Sequence, residues 1–101
     1  MNRLRTVVAE AVDDALLVLG TETRNVIYQH TENCGQFGRD DIPEHLGGFN
    51  EVLKNLLGKK TKMTLDEMFT KRMYRKLDLP FDVRNDWTFA THVENAKKRL
   101  D

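Results

Sequence analysis

The chain holds one cysteine, two prolines and one tryptophan among 101 residues, and no apolar run longer than Ala15 to Leu19. Each scarcity removes a class of protein. A lone Cys34 cannot close an intramolecular disulfide, which agrees with a reducing compartment. The apolar runs fall short of the ~18 residues that a membrane span requires. Glu10, Asp13 and Asp14 interrupt the stretch after Met1-Asn-Arg-Leu-Arg, so it does not read as a signal peptide. A cytoplasmic protein with no membrane partner is therefore expected. Repeats and low-complexity tracts are missing, and Gly47-Gly48 lacks the further glycines and the lysine of a phosphate loop. No stretch sustains period-two alternation, so no sheet is expected.

What is present is helical patterning. Hydrophobic residues make up 40% and charged residues 32%, with a net charge of zero, a balance that suits a folded chain better than a disordered one. At this length the chain makes one domain that buries roughly two-thirds of its unfolded surface. The expected fold is all-α, a compact bundle of five to six helices. Residues 80–101 are read as a linker followed by a C-terminal amphipathic helix.

The organising stretch is Ala15 to His30, where Gly20 sits between two helical patterns as the elbow of an antiparallel hairpin. Thr21 or Thr23 is expected to cap the second helix. The first helix should span about Asn2 to Leu19. Leu4, Val8, Ala11, Ala15 and Val18 form a coiled-coil-like seam, which Val7, Val12, Leu16 and Leu19 widen. So broad a face implies either a central core helix or an oligomer seam through Leu4, Val8, Ala11 and Ala15, with a homodimer as the result. The second helix, about Glu22 to Asn33, should turn Val26, Ile27 and Tyr28 inward and stop at Gly35.

Phe37 is the expected anchor of the polar connection that follows, and Ile42-Pro43-Glu44 reads as a helix start. A further helix spans Phe49 to Leu57, ended by Gly58. Lys59-Lys60-Thr61-Lys62 then looks like a basic connection, and Thr64-Leu65-Asp66-Glu67 like a capping box opening the helix of Leu65, Phe69, Met73 and Leu77. Pro80 closes it. After a linker over Phe81 to Asn85, Asp86 should cap a last helix with Phe89, Val93, Ala96 and Leu100 on one face and Trp87 at its base.

The runs ALLVLGTETRNVIYQH, DDIPEHLGGFNEVLKNLLG and LDEMFTKRMYRKLDL resemble a family of small archaeal helical modules, the Nitrosopumilus output domain. The likeness covers about residues 8 to 79. Its marks are Leu19-Gly20, the Asp41-Ile42-Pro43-Glu44 step, Phe49 with Val52 and Leu53, and Gly58 before an amphipathic helix. The resemblance implies a helical fold and an output or adaptor role in archaeal signal transduction. It implies no catalytic or binding residue.

Chemistry-bearing residues are few. His30 and Cys34 share a helix face at a spacing that supplies half a zinc site, but a second ligand pair is lacking, so no metal is assigned. Cys34 sits at a helix C-terminus, where the dipole opposes a thiolate. Asp40, Asp41 and Glu44 are placed to complement a helix dipole rather than to act as an acid-base pair. No nucleophile, base and oxyanion donor can be assembled, so neither an enzyme nor a cofactor is expected.

Charge is segregated. Nine acids face two bases from Glu10 to Glu51, and eight bases face two acids from Lys54 to Lys76. Lys59, Lys60, Lys62, Lys71, Arg72, Arg75 and Lys76 therefore suggest a helix-turn-helix-like basic surface for nucleic acid or an acidic partner. The stems of Arg72 and Lys76 lie close to the apolar stripe and can simply cover it. The leading expectation is a non-enzymatic interaction module that binds a protein partner or itself. A nucleic-acid-binding regulator is the alternative.

Overall fold

Gly20 makes the first reversal. Its φ of 107° is one that side-chain-bearing residues rarely adopt. Its N–H donates to the Leu17 carbonyl at 3.0 Å, and its own carbonyl accepts from Arg24 N at 3.0 Å, so a single residue closes one helix and opens the next. The computed structural model describes residues 3–80 and 87–100. It places α1 at Arg3–Val18 and α2 at Thr21–His30. Thr21 is thus the first helical residue rather than the cap, and no side chain caps α2. A π-helical turn, Thr31–Gly35, extends the path of α2, and a 3-10 turn, Arg39–Glu44, follows. Ile42-Pro43-Glu44 ends that turn instead of starting a helix.

Helix α3 is Leu46–Leu57, three residues longer at its start than the apolar pattern suggested, because both glycines of Gly47-Gly48 lie inside it. Gly58, with φ 86°, repeats the device of Gly20: it donates to Lys54 O and accepts from Lys62 N. Helix α4 therefore begins at once and runs Lys59–Lys76. The expected basic connection and capping box are both inside it. Thr64 Oγ1 donates to Lys60 O at 3.3 Å, so it binds back along the helix instead of accepting an orphan N–H.

The end of α4 is a Schellman motif. Leu79 N donates to Tyr74 O at 3.0 Å, Asp78 N to Arg75 O at 3.1 Å, and Asp78 takes the left-handed conformation at φ 57°. Helix α5 is Phe89–Leu100. Thr88 caps it, its carbonyl accepting from His92 N and its hydroxyl from Thr91 N. The linker and the Asp86 cap lie outside the described residues. Among the described residues no strand occurs, and no helix is long and apolar enough to cross a membrane.

Helix α1 is central. Val8, Ala11, Val12, Ala15 and Leu16 are buried, and the helix packs against α2, the 3-10 turn and most extensively α4. The core continues through Phe49, Leu53, Leu65, Phe69, Met73 and Tyr74 to Phe89, Val93 and Ala96. Phe37 anchors the connection as expected: it is buried and stacks on His45 at 4.7 Å between ring centroids.

The two glycines of α3 differ in what surrounds them. A Cβ on Gly48 would stand 3.1 Å from the Phe37 ring, and one on Gly35 would stand 2.7 Å from it, so the ring is held on both sides. A Cβ on Gly47 meets nothing within 4 Å. Gly47→Ala should therefore stabilise the fold by about 0.5 kcal/mol through helix propensity. Gly48→Ala should destabilise it by about 1 kcal/mol by displacing a wedged ring. Urea denaturation of the two variants gives the comparison.

Candidate functional site

Of the seven basic residues singled out, three are engaged within the chain. Lys62 is buried and pairs with Asp66 at 2.6 Å, Lys71 pairs with Glu67 at 3.0 Å, and Lys76 reaches Asp14 at 3.0 Å and Glu10 at 3.7 Å. The hydrogen bond to Asp14 raises the Lys76 pKa. Lys59, Lys60, Arg72 and Arg75 make no ion pair among the described residues. Lys59 and Lys60 stand about 24 Å along α4 from Arg75, at 1.5 Å per residue. The helix-turn-helix-like surface is thus divided: part of it holds α1 to α4, and the rest lies at the two ends of one helix.

The oligomer seam is corrected in the same way. Val8, Ala11 and Ala15 are at most 1% exposed and Leu4 is partly buried, because α4 covers that face within one copy. The apolar residues that do face solvent are others. Leu17 is 41%, Val18 62%, Leu19 38% and Val26 57% exposed, all around the Gly20 elbow. Val26 does not turn inward, since Ile27 and Tyr28 occupy the buried side of α2.

Asp13 organises that buried side. It accepts from the Tyr28 hydroxyl at 2.8 Å and from Arg24 Nη1 at 3.3 Å, with Arg39 at 3.7 Å. Burial first, then the Asp13 hydrogen bond, pushes the Tyr28 hydroxyl pKa up. Arg5 binds Glu44 and the Asp40 carbonyl and lies near Asp41, and its hydrogen bond holds the Glu44 carboxyl below the usual range. The acidic group thus ties the 3-10 turn to α1. His30 and the exposed Cys34 belong to no group of three metal-binding side chains among the described residues.

A polar cluster between α4 and α5 was not expected from the sequence. The Tyr74 hydroxyl lies 3.0 Å from His92 Nδ1 and accepts from Asn95 Nδ2 at 2.9 Å, while the Trp87 ring meets His92 edge-on at 5.0 Å. Beside it Asp66 accepts the Phe89 N–H; burial raises its pKa, opposed by its bond to Lys62. Tyr74 and His92 are 0% and 3% exposed. A tyrosine–histidine pair can relay protons, but only to an atom that reaches it. The neighbouring cleft, lined by Phe49, Asn50, Asp66 and Phe89, has a volume of about 10 Å³, near the least that one water needs. A hint of the cluster existed in the spacing of Phe89, His92, Val93 and Ala96, which puts the histidine on the buried stripe.

No protein-family model, curated protein or solved structure matches the chain.

Proposed function

We propose that the chain is a non-enzymatic protein-interaction module of the output or adaptor kind, acting in the cytoplasm. The likeness to the archaeal output domain points the same way and rests on the quoted motifs alone. The observation that carries the reading is the exposed apolar group at the elbow. Single exposed apolar residues are ordinary on any surface, but Leu17, Val18 and Leu19 are consecutive and Val26 follows on the next helix. In this reading α1 and α2 form an antiparallel hairpin whose tip is offered to a partner, and the most testable partner is a second copy.

The polar groups support the same view. Asp13, Arg24 and Tyr28 are spent on one another between α1 and α2, Arg5 and Glu44 between α1 and the 3-10 turn, and Glu10 and Asp14 on Lys76 of α4. Light scattering over a dilution series tests the proposal on the intact chain. Mass should rise with concentration, and the double variant Val18→Glu/Val26→Glu should lower association at least tenfold while its melting temperature stays within a few degrees. A particle that is monomeric at every concentration removes the self-association.

A further inference from the structure

Helices α4 and α5 run in the same direction: Phe89 lies by Asp66 and Phe69, His92 and Asn95 by Tyr74, and Arg99 by Pro80. The stripe of α4 that α5 covers, from Asp66 to Tyr74, continues upstream. Met63 and Lys59 stand one and two turns before Asp66 on the same side of the helix, because successive residues turn by about 100°. Helix α5 begins beside Asp66 and runs away from them. Met63 is accordingly 55% exposed, and Lys59 and Lys60, one turn back from it on the same face, are exposed too.

Lys59 and Lys60 make no ion pair among the described residues, and the first turn of α4 holds no acid. Cations there oppose the helix dipole, so both lysines sit where their own helix gains least from them. Lys62 has Asp66 as compensation; these two have no equivalent. The Gly20 elbow has the opposite character. Glu22 is exposed, makes no ion pair among the described residues, and lies one turn from the exposed Val26 on the same face of α2. Arg24, next but one in sequence, is taken by Asp13, and Lys76 by Asp14 and Glu10. An elbow packed against a second elbow therefore brings two Glu22 carboxylates to one contact, and like charges set together disfavour it.

Resting on the self-association proposed above, we propose that the Gly20 elbow of one copy docks on the Lys59, Lys60 and Met63 face of a second copy. The apolar residues of the elbow, Val18 and Val26 among them, meet Met63, whose unbranched thioether adapts to branched neighbours. Glu22 supplies the carboxylate that Lys59 and Lys60 lack, and the contact pairs opposite charges where elbow against elbow pairs like ones. The partner is a second copy because this chain carries both halves of the match: an apolar elbow with an acid, and an apolar side chain with two bases. The two surfaces differ, so each can be spoiled separately.

Sedimentation velocity of the full chain, in a dilution series at about 20 and about 200 mM salt, reads the association. The parent should associate, and at least about threefold more weakly at the higher salt. Val18→Gln/Val26→Gln spoils the elbow without adding charge, and Lys59→Glu/Lys60→Glu spoils the face. Each alone should associate at least about tenfold more weakly than the parent. Mixed in equal amounts they should form a one-to-one complex, because the first supplies an intact face and the second an intact elbow. Circular dichroism checks that each variant is folded. A parent that associates while Lys59→Glu/Lys60→Glu matches it, or a mixture that associates no better than either variant alone, overturns this docking and leaves the self-association standing. A parent that is monomeric at every concentration overturns both.

Discussion

Lys62→Met is expected to lower stability by about 3 kcal/mol at neutral pH, because it strands the Asp66 carboxylate in an apolar setting. Both side chains are nearly covered, at 10% and 14% exposed, and the ion pair between them is 2.6 Å long. Removing one member of a buried pair costs far more than the pair itself contributes, since the survivor keeps its desolvation penalty and loses its compensation. Met retains the stem that packs against the core, so the loss reports charge and not volume.

The pH dependence of the deficit separates this explanation from simple loss of packing. Burial already raises the Asp66 pKa above 3.8, and Lys62 works against that rise. A carboxyl whose folded pKa is raised favours the fold in its protonated form. Its contribution is full below the unfolded pKa of about 4 and is lost as pH rises through the folded value. Without Lys62 the folded pKa climbs further, so the variant should be most impaired near pH 7 and recover toward pH 4. Lys62→Met/Asp66→Asn should return most of the stability at pH 7, because the carboxamide oxygen still accepts the Phe89 N–H with no charge to desolvate. Urea melts at the two pH values test this; a deficit that is equal at both, or a double variant as weak as the single one, would refute the account.

The reading of Lys62 also shows where sequence reasoning reaches its limit. Gly20 and Gly58 were legible as helix ends because a reversal at positive φ has few alternatives to glycine. The apolar stripes of α1, α3, α4 and α5 were legible because burial imposes the helical period. Lys59 to Lys62 read as a loop because three lysines look solvated, and the signal that Lys62 belongs to a helix is its partner Asp66 one turn on. Thr64 to Glu67 has the letters of a capping box, but the box has meaning only at a helix start, and Gly58 had already supplied one. Asp78 hid the true end of α4, since a left-handed aspartate leaves no glycine to find. Val26 and Val18 could not be told from core residues, because two apolar neighbours on a helix differ only in which one the tertiary packing covers. His92 falls on the buried stripe by its spacing, but only the approach of α5 to Tyr74 gives it a role.

Phe69→Ala is the second large effect, expected at about 3–5 kcal/mol. A domain of this size commonly has a total stability of roughly 5–15 kcal/mol, so the variant should sit near the edge of unfolding. Phe69 is fully buried on α4, with the Phe49 ring of α3 at 6.3 Å and the Phe89 ring of α5 at 5.3 Å. Removing it leaves a cavity where three helices meet, and no neighbour can fill it without giving up its own contacts. The melting temperature should drop by about 12–40 °C, at roughly 4–8 °C per kcal/mol. Phe69→Leu keeps most of the volume and should cost under half as much. Phe89→Ala opens the ladder at its end instead of its middle, so amide exchange should accelerate first in α5, at Val93 and Ala96, with α1 still protected. If α5 instead exchanges in step with α1 in that variant, the last helix is part of one cooperative unit.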